Sequence, residues 1–564
     1  MSYTDSNLST TGFDYVVAVT QDSVNGALRE TISKGGPEVI VCYAYNTSSP
    51  PVPVPIDHAA LVKAAKGTDP FAVPKGTKST DERVQDLADA GFAFAVKAKL
   101  GLPPGVSPAD WPPVVTLEPG HSNVIYKVTF AEFAVAEIVY GPRDSVSWFS
   151  DSQPSGAAWT FSATVDLDFR DGPFTSLSKE AQARLTGLEL NPGAYSIKQL
   201  FYDLNSSALI QDFTFDGLTS TNTALGAFMT EDFVNTYFKG LGGGELLGCV
   251  AAAAVDVSPS SLWITGVNFF TPAAVSAPGV SGAPLTLNYL CAAGGDSLPA
   301  PANFGWNWID PGEKFEGVAA LNRNTFSDYL RNANLPKTAT FPGGSLGSYI
   351  RSNCYTPSVS CTYDAGNLEL TYSCSAASGG QPTASILSSG PALFSYSYGS
   401  SASSQADPFG IVLGHISLST SFGLDLYVQS NQIVVEQRLV FALDVANGPV
   451  GLSANIVDTA IVDTYSVGID ENGQLVAQMG IPKTADNSQH PDLSAIANSI
   501  SNINQIVDTI TQWAQTLAAG HLKDLPVSFV GSLVFPGAAA FTFADAVFSN
   551  HSDLVSHITY VSNL

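Results

Sequence analysis

The chain is short of positive charge. It has 24 Lys and Arg against 50 Asp and Glu, a formal charge of −26. After Arg351 the only basic residues are Arg438, Lys483 and Lys523. A phosphate backbone is held by clustered cations, so this deficit argues against nucleic-acid binding and against diffuse attraction to anionic lipid surfaces. Six cysteines in 564 residues are too few for a disulfide scaffold. No apolar run reaches the ~20 residues that span a bilayer. The N-terminus, MSYTDSNLSTTGFDY, has neither a basic nor an apolar leader segment. These absences lead us to expect a soluble, cytoplasmic protein with no Sec signal peptide and mostly reduced thiols, with unconventional secretion left open.

Chemical motifs are equally sparse. Gly343-Gly344-Ser345-Leu346-Gly347 fits the nucleophile-elbow pattern, and Asp407 and His415 follow in suitable order. The surroundings read as antiparallel strand, so a glycine-rich turn is the simpler expectation and an esterase-like hydrolase using Ser345 the minor alternative. The seven histidines show no zinc-ligand spacing, and His551 and His557 read as surface polar groups. Cys354, Cys361 and Cys374 lack a CxxC pair, although a disulfide between two of them is allowed. Asp166 and Asp168 read as a solvent-facing polar row. GLGGG at 240–244 lacks the Lys-Ser/Thr of a phosphate loop. The expectation is no enzyme, no cofactor and no metal.

What the chain does have is apolar, periodic sequence. Hydrophobic residues make up 45% and charged residues only 13%, enough for large cores. FDYVVAVTQDSVNGALRE (13–30) recurs as FEGVAALNRNTFSDYLRN (315–332), with Phe13/Phe315, Val16/Val318, Ala18/Ala320, Leu28/Leu330 and Arg29/Arg331 identical. Roughly one identity is expected from average residue usage, so five indicate a repeat. Each copy reads as a buried strand feeding an amphipathic helix, capped at Asp22 or Ser23 and at Asn324 or Thr325.

Alternation at 92–100, 161–169 and 432–445, and a run from Val124 to Tyr140, predicts long strands with one apolar face. Asn472-Gly473 signals a hairpin. Such strands require an antiparallel sheet that curls around something. In the second half Leu493, Ile496, Ile500, Ile503, Val507, Ile510, Trp513 and Leu517 step at helical spacing between Asp492 and Gly520. A helix of roughly 28 residues would be about 42 Å long. Burial against the sheet suits its wide stripe better than a coiled-coil seam. Helical candidates in the first half, 178–187 and 228–238, are shorter. The Gly/Pro-rich segment from Cys291 to Asn303 reads as a linker, and SSPPVPVP (48–55) as a rigid surface loop.

The motifs FDYVVAVTQDSVNGALRE, YSIKQLFYDLNSSAL (195–209), LTLNYL (285–290), FEGVAALNRNTFSDYL and LVFPGAAAFTFADAVFSNHSDLVSHITYV (533–561) occur in the order of one family. The chain resembles the OrfX and 47-kDa accessory proteins of botulinum-type neurotoxin clusters, of the TULIP (tubular lipid-binding) superfamily. The resemblance implies an α+β fold of two TULIP-like domains, each a long, strongly curved antiparallel sheet wrapped around a long helix. Their bounds would be 1–297 and 298–564, with a linker about 291–310. It also implies binding of lipid or another elongated hydrophobic ligand. Candidate groove residues are Ile496, Ile500, Ile503, Val507, Ile510, Trp513, Phe441 and Leu443. Each could instead simply fill the core. A protein partner, with the chain as an interaction scaffold accessory to a toxin or other complex, is the rival expectation. The scarcity of cations after residue 351 puts an anionic headgroup site in the second half in doubt.

Overall fold

A computed structural model describes residues 2–33, 38–142, 145–187, 195–203, 214–216, 225, 228–229, 233, 246–253, 262–275, 282–332, 334–335, 344–364, 367–376, 383–386, 392–408, 410–471, 473, 475–500, 502–515, 534–536 and 540–560. It is α+β and dominated by antiparallel sheet.

The two repeat strands, Tyr15–Thr20 and Gly317–Leu321, lie side by side at the centre of a seven-stranded sheet built from both halves of the chain. Val17 pairs with Ala319, its own equivalent in the other copy. Around that pair Val16 meets Ala320 and Ala18 meets Val318, so the repeat is related by a local pseudo-two-fold axis. The hydrogen bonds follow the same symmetry. Thr20 N–H donates to Glu316 O at 2.9 Å, and its counterpart Asn322 N–H donates to Asp14 O at 2.8 Å. Outside the pair lies one further long strand from each half, Thr286–Ala293 on one side and Leu554–Tyr560 on the other.

Alternation gives this seam sheet two buried faces. Val16, Ala18, Val318 and Ala320, the identical strand positions of the repeat, face a cluster with Phe13, Phe304, Trp306 and Trp308. Tyr15, Val17, Val19, Ala319 and Leu321 face the main core. The expected linker therefore does more than connect. Cys291–Ala293 complete a strand, and Phe304, Trp306 and Trp308 cover one face of the seam.

The strand–helix units form as expected, but their helices start earlier, at Gln21–Ser33 and Arg323–Asn332. Thr20 Oγ1 accepts from Ser23 N–H at 3.2 Å and Asn322 Oδ1 from Asn324 N–H at 2.9 Å. The caps are the last residue of the first strand and the residue just after the second, rather than Asp22/Ser23 and Asn324/Thr325.

The first half carries an eleven-stranded sheet that includes the long strand Asn123–Tyr140. Val534–Pro536, from the second half, pairs with Leu246–Ala253 at one edge of it. Short helices His58–Ala64 and Glu82–Asp89 contribute Leu61, Val84 and Leu87 to a small core on its outer side, which is why Phe92 and Ala95 are buried as well as Phe94 and Val96. The stretch 178–187 forms the helix Lys179–Gly187, whereas most of 228–238 lies outside the described residues.

The second half carries a seven-stranded sheet in near-sequential order, with strands Gly414–Gln429, Gln432–Asn447 and Val450–Ile469. It curls into a half-barrel. The expected hairpin connects Ile469 to Leu475, and Gly473 there has φ +70°; Asn472 lies outside the described residues.

The single long helix is not formed. Ser494–Ala497 and Ile503–Gln515 are separate helices, and 516–519 lies outside the described residues. Asn and Ser compete with the backbone for hydrogen bonds, and Asn498, Ser499 and Asn502 supply that competition here. Ile500 forms a parallel bridge with Leu368, Asn447 Nδ2 donates to Ser499 O at 2.9 Å, and Asn502 Nδ2 donates to Leu370 O at 2.5 Å. The segment between the helices is thus held by strands.

Candidate functional site

The interior of the second half is built from three surfaces. One is the inner face of the long strands, where Phe441, Leu443, Leu439 and Val445 are buried. The second is the apolar stripe of the two C-terminal helices and the turn between them. Ile496, Ile500, Ile503, Ile506 and Ile510 are buried there, and Val507 is half-buried. The third is a hairpin, Tyr355–Asp364 with Asn367–Ala376, whose Val359, Leu370 and Tyr372 turn inward. All the candidate residues with described side chains join one apolar cluster; the side chain of Trp513 lies outside the described residues.

Among the described residues Tyr372 links the longer helix to the hairpin. Tyr372 Oη donates to Thr509 Oγ1 at 2.8 Å and lies 3.2 Å from Gln505 O. Over its described side chains the inward stripe is aliphatic. Across the interior Tyr355 packs on Phe441 with ring centroids 5.4 Å apart.

The inner face is not wholly apolar, which the strand periodicity alone does not bring out. Gln437 occupies an inward position between Val435 and Leu439 and is 2% exposed. Tyr349, from the helix Leu346–Ser352, donates its hydroxyl to Gln437 Oε1 at 2.8 Å. Asp463 is fully buried opposite Val435. The signal was present in the alternation Ile461, Asp463, Tyr465, where a carboxylate keeps the inward phase. In the first half Glu137 is likewise buried, 4% exposed, opposite Phe94 and Phe149. Burial pushes its carboxyl up to about 7, against the opposing pull of the Leu225 N–H.

Arg438, one of the three basic residues after Arg351, forms a two-point ion pair with Asp458, both contacts 2.8 Å, on the outer face. Lys483 is exposed on a short edge strand, and Lys523 lies outside the described residues. Neither described cation faces the interior.

The other candidates resolve as follows. Ser345 caps the helix Leu346–Ser352, accepting from Ser348 N–H at 3.2 Å, with φ −66° and ψ 157°. An elbow serine sits in a strained turn, whereas this backbone is ordinary extended chain. His415 Nε2 meets Asp444 Oδ2 at 3.1 Å. His551 is exposed, but His557 is 1% exposed, correcting its reading as a surface group. It sits on the buried strand Leu554–Tyr560, stacked on Phe315 at 3.9 Å, with Nδ1 2.7 Å from Asp545 Oδ2. All six cysteines are unpaired. Burial pushes the thiols of Cys42, Cys249, Cys354 and Cys374 up to about 12, which keeps them protonated and weakly nucleophilic. Asp166 and Asp168 point outward. Among the described residues no group of three His, Cys, Asp or Glu is placed to hold a metal, and no helix is long and apolar enough to cross a membrane.

Comparison with solved structures returns the proteins that the sequence motifs resemble. The chain is similar to P47. P47 from Clostridium botulinum A2 is 11% identical, with 97% of each chain covered and a TM-score of 0.44. P47 of Clostridium botulinum E1 is 9% identical, covering 97% of this chain and 98% of that one, also with a TM-score of 0.44. A lipopolysaccharide binding protein aligns at 9% identity over 97% of this chain and 99% of its own, with a TM-score of 0.25. No family model matches the chain, and no curated protein matches it.

Proposed function

We propose that the chain is a non-enzymatic binder of an elongated hydrophobic ligand, such as a lipid, held in the second half between the curled sheet and the C-terminal helices. In this reading the chain comprises two units, 1–297 and 298–564, joined through the seam sheet. The observation that carries it is the aliphatic layer made by Ile496, Ile500, Ile503, Val507 and Ile510 with Phe441 and Leu443. An apolar chain inserted there exchanges like contacts for like. Each Å² of apolar ligand surface buried contributes about 25 cal/mol before ordering costs. The polar trio Tyr349, Gln437 and Asp463 would mark the end where a ligand's polar group lies.

Uptake of a fluorescent fatty acid and a fluorescent sterol by the purified full chain tests this. Saturable uptake that falls at least about tenfold in Val507→Asp supports the reading, because a carboxylate in that layer is costly to bury. The paired variant Asn504→Asp, on the exposed side of the same helix, should bind normally. No uptake of either probe by folded wild-type protein counts against it.

An accessory or scaffold role is the second reading. It is favoured by Ile411 and Val412, 67% and 53% exposed in the turn between Ala392–Ala406 and Gly414–Gln429. Under that reading changes at 411 and 412 would abolish complex formation, and changes at 507 would act only through stability.

A further inference from the structure

On the outer face of the second-half sheet, away from the apolar interior, lies an open pocket of about 230 Å³. Its floor is a two-by-three grid set by the strand register. Ser417, Asp444 and Ser453 form one row, and Ser419, Ala442 and Asn455 the next. Three features shape it. Alanine in the middle strand leaves space that a longer side chain would fill. The register shift between Phe441 and Ala442 leaves Ile456 without a partner across the ladder and bends the strand beside Asn455. Gln489 then crosses as a wall, fixed twice: its N–H donates to Asn455 O at 2.8 Å and its Oε1 accepts from Asn455 N–H at 2.8 Å.

We propose that this pocket binds a neutral polyhydroxylated molecule the size of one sugar ring or cyclic polyol. The lining decides the class. Three serine hydroxyls can each donate and accept, Asp444 accepts, the Asn455 side chain does both, and Gln489 Nε2 remains to donate. That is the complement adjacent hydroxyl groups need. His415 Nε2, 3.1 Å from Asp444 Oδ2, orients the carboxylate. An anion would meet Asp444 with no Lys or Arg in the lining. Calcium takes about six to eight oxygen ligands, usually with several carboxylates, and this lining offers one carboxylate. An acyl chain finds only Ala442, Ala454 and Leu443, whose side chain is turned to the interior. The volume lies below the ~300–1,000 Å³ of drug-sized sites, which limits the ligand to one ring. No aromatic platform lines the pocket, so binding in the millimolar range is expected.

The test is saturation-transfer NMR on the full chain with D-glucose, D-galactose, D-mannose and myo-inositol, each alone. At least one should receive saturation. Ala442→Leu should abolish the effect by filling the floor, and Asp444→Ala should weaken binding about tenfold by removing a charged acceptor. Ser397→Ala, on the same face outside the pocket, should leave it unchanged. Should Ala442→Leu fail to fold, exposed Asp444→Ala carries the same comparison. Absence of transfer to all four probes, or transfer undiminished in the folded variants, overturns the proposal. The apolar-ligand reading concerns the opposite face of the sheet, so it survives or fails independently.

Discussion

The two repeat copies occupy equivalent places on either side of the pseudo-two-fold axis, yet they are fastened differently. The first copy's helix begins after Thr20, and the strand beside it starts at Thr286, buried and uncharged. The second copy's helix begins at Arg323, 2% exposed, and the residue in the place of Thr286 is Asp553, fully buried. Asp553 accepts from Ser6 Oγ at 2.8 Å, Leu8 N–H at 2.7 Å and Arg323 N–H at 3.1 Å. The shared strand identities therefore serve pairing and one buried face, whereas Asp553 beside the second copy also fastens the N-terminal segment through Ser6 and Leu8.

That contrast can be broken most forcefully at its charged member. Asp553→Ala should cost about 3–5 kcal/mol, because it strands three buried donors beside a buried arginine. Thr286→Ala, at the equivalent place, should cost about 1 kcal/mol or less. Chemical denaturation measures both, and equal costs would remove the asymmetry.

Symmetry itself is sharpened by Val16→Ala and Val318→Ala. Each deletes buried methyl groups facing the same aromatic cover, so each should cost about 1–3 kcal/mol. The two values, from the same denaturation experiment, should agree within about 0.5 kcal/mol. A large difference would mean that only one copy packs as the register implies.

Both halves carry buried acids. Glu137 in the first half has its carboxyl raised by burial from 4.5 to about 7. A raised acid pKa means that the folded state binds a proton more tightly than the unfolded chain. This group therefore favours the fold at low pH, and its contribution declines as pH rises from 4.5 to about 7. Asp553, raised to about 6, acts in the same direction, so the test is a difference measurement. Glu137→Gln should flatten the pH dependence relative to the parent and be the more stable protein above that window, as read by thermal unfolding across pH.

A modest effect is expected where the second-half sheet meets the seam, at Asn431, whose φ is +61°. Asn431 donates to Ala546 O at 3.0 Å and accepts from Phe548 N–H at 2.8 Å. Asn431→Ala should cost about 1 kcal/mol by denaturation, with hydrogen exchange in the flanking strands little changed.

Much of this architecture was legible in the residues. Period-two alternation located the long strands because one face of each is buried, and the identities at 16/318 and 18/320 marked equivalent strands. Equivalence does not name a partner, so nothing in a single sequence revealed that the two copies pair with each other. The helix break was written in Asn498-Ser499-Ile500-Ser501-Asn502, but the unbroken apolar stripe outweighed it. The stripe persists because Ile500 keeps its inward phase while its backbone joins Leu368. The aromatic cover was hidden by its Gly/Pro-rich approach, although Phe304, Trp306 and Trp308 alternate as a buried strand would. For the candidate site, burial of the aliphatic layer was legible. The inward Gln437 and Asp463 were not, because polar residues in an apolar phase read as noise until their partners are seen.

The most direct test of the apolar-ligand account is native mass spectrometry of the full chain as purified and again after organic extraction. The account expects an additional mass from a co-purifying apolar molecule, lost on extraction and restored on incubation with fatty acid or sterol, and absent from Val507→Asp. A single bare-chain mass in every sample, with the protein folded throughout, would contradict it.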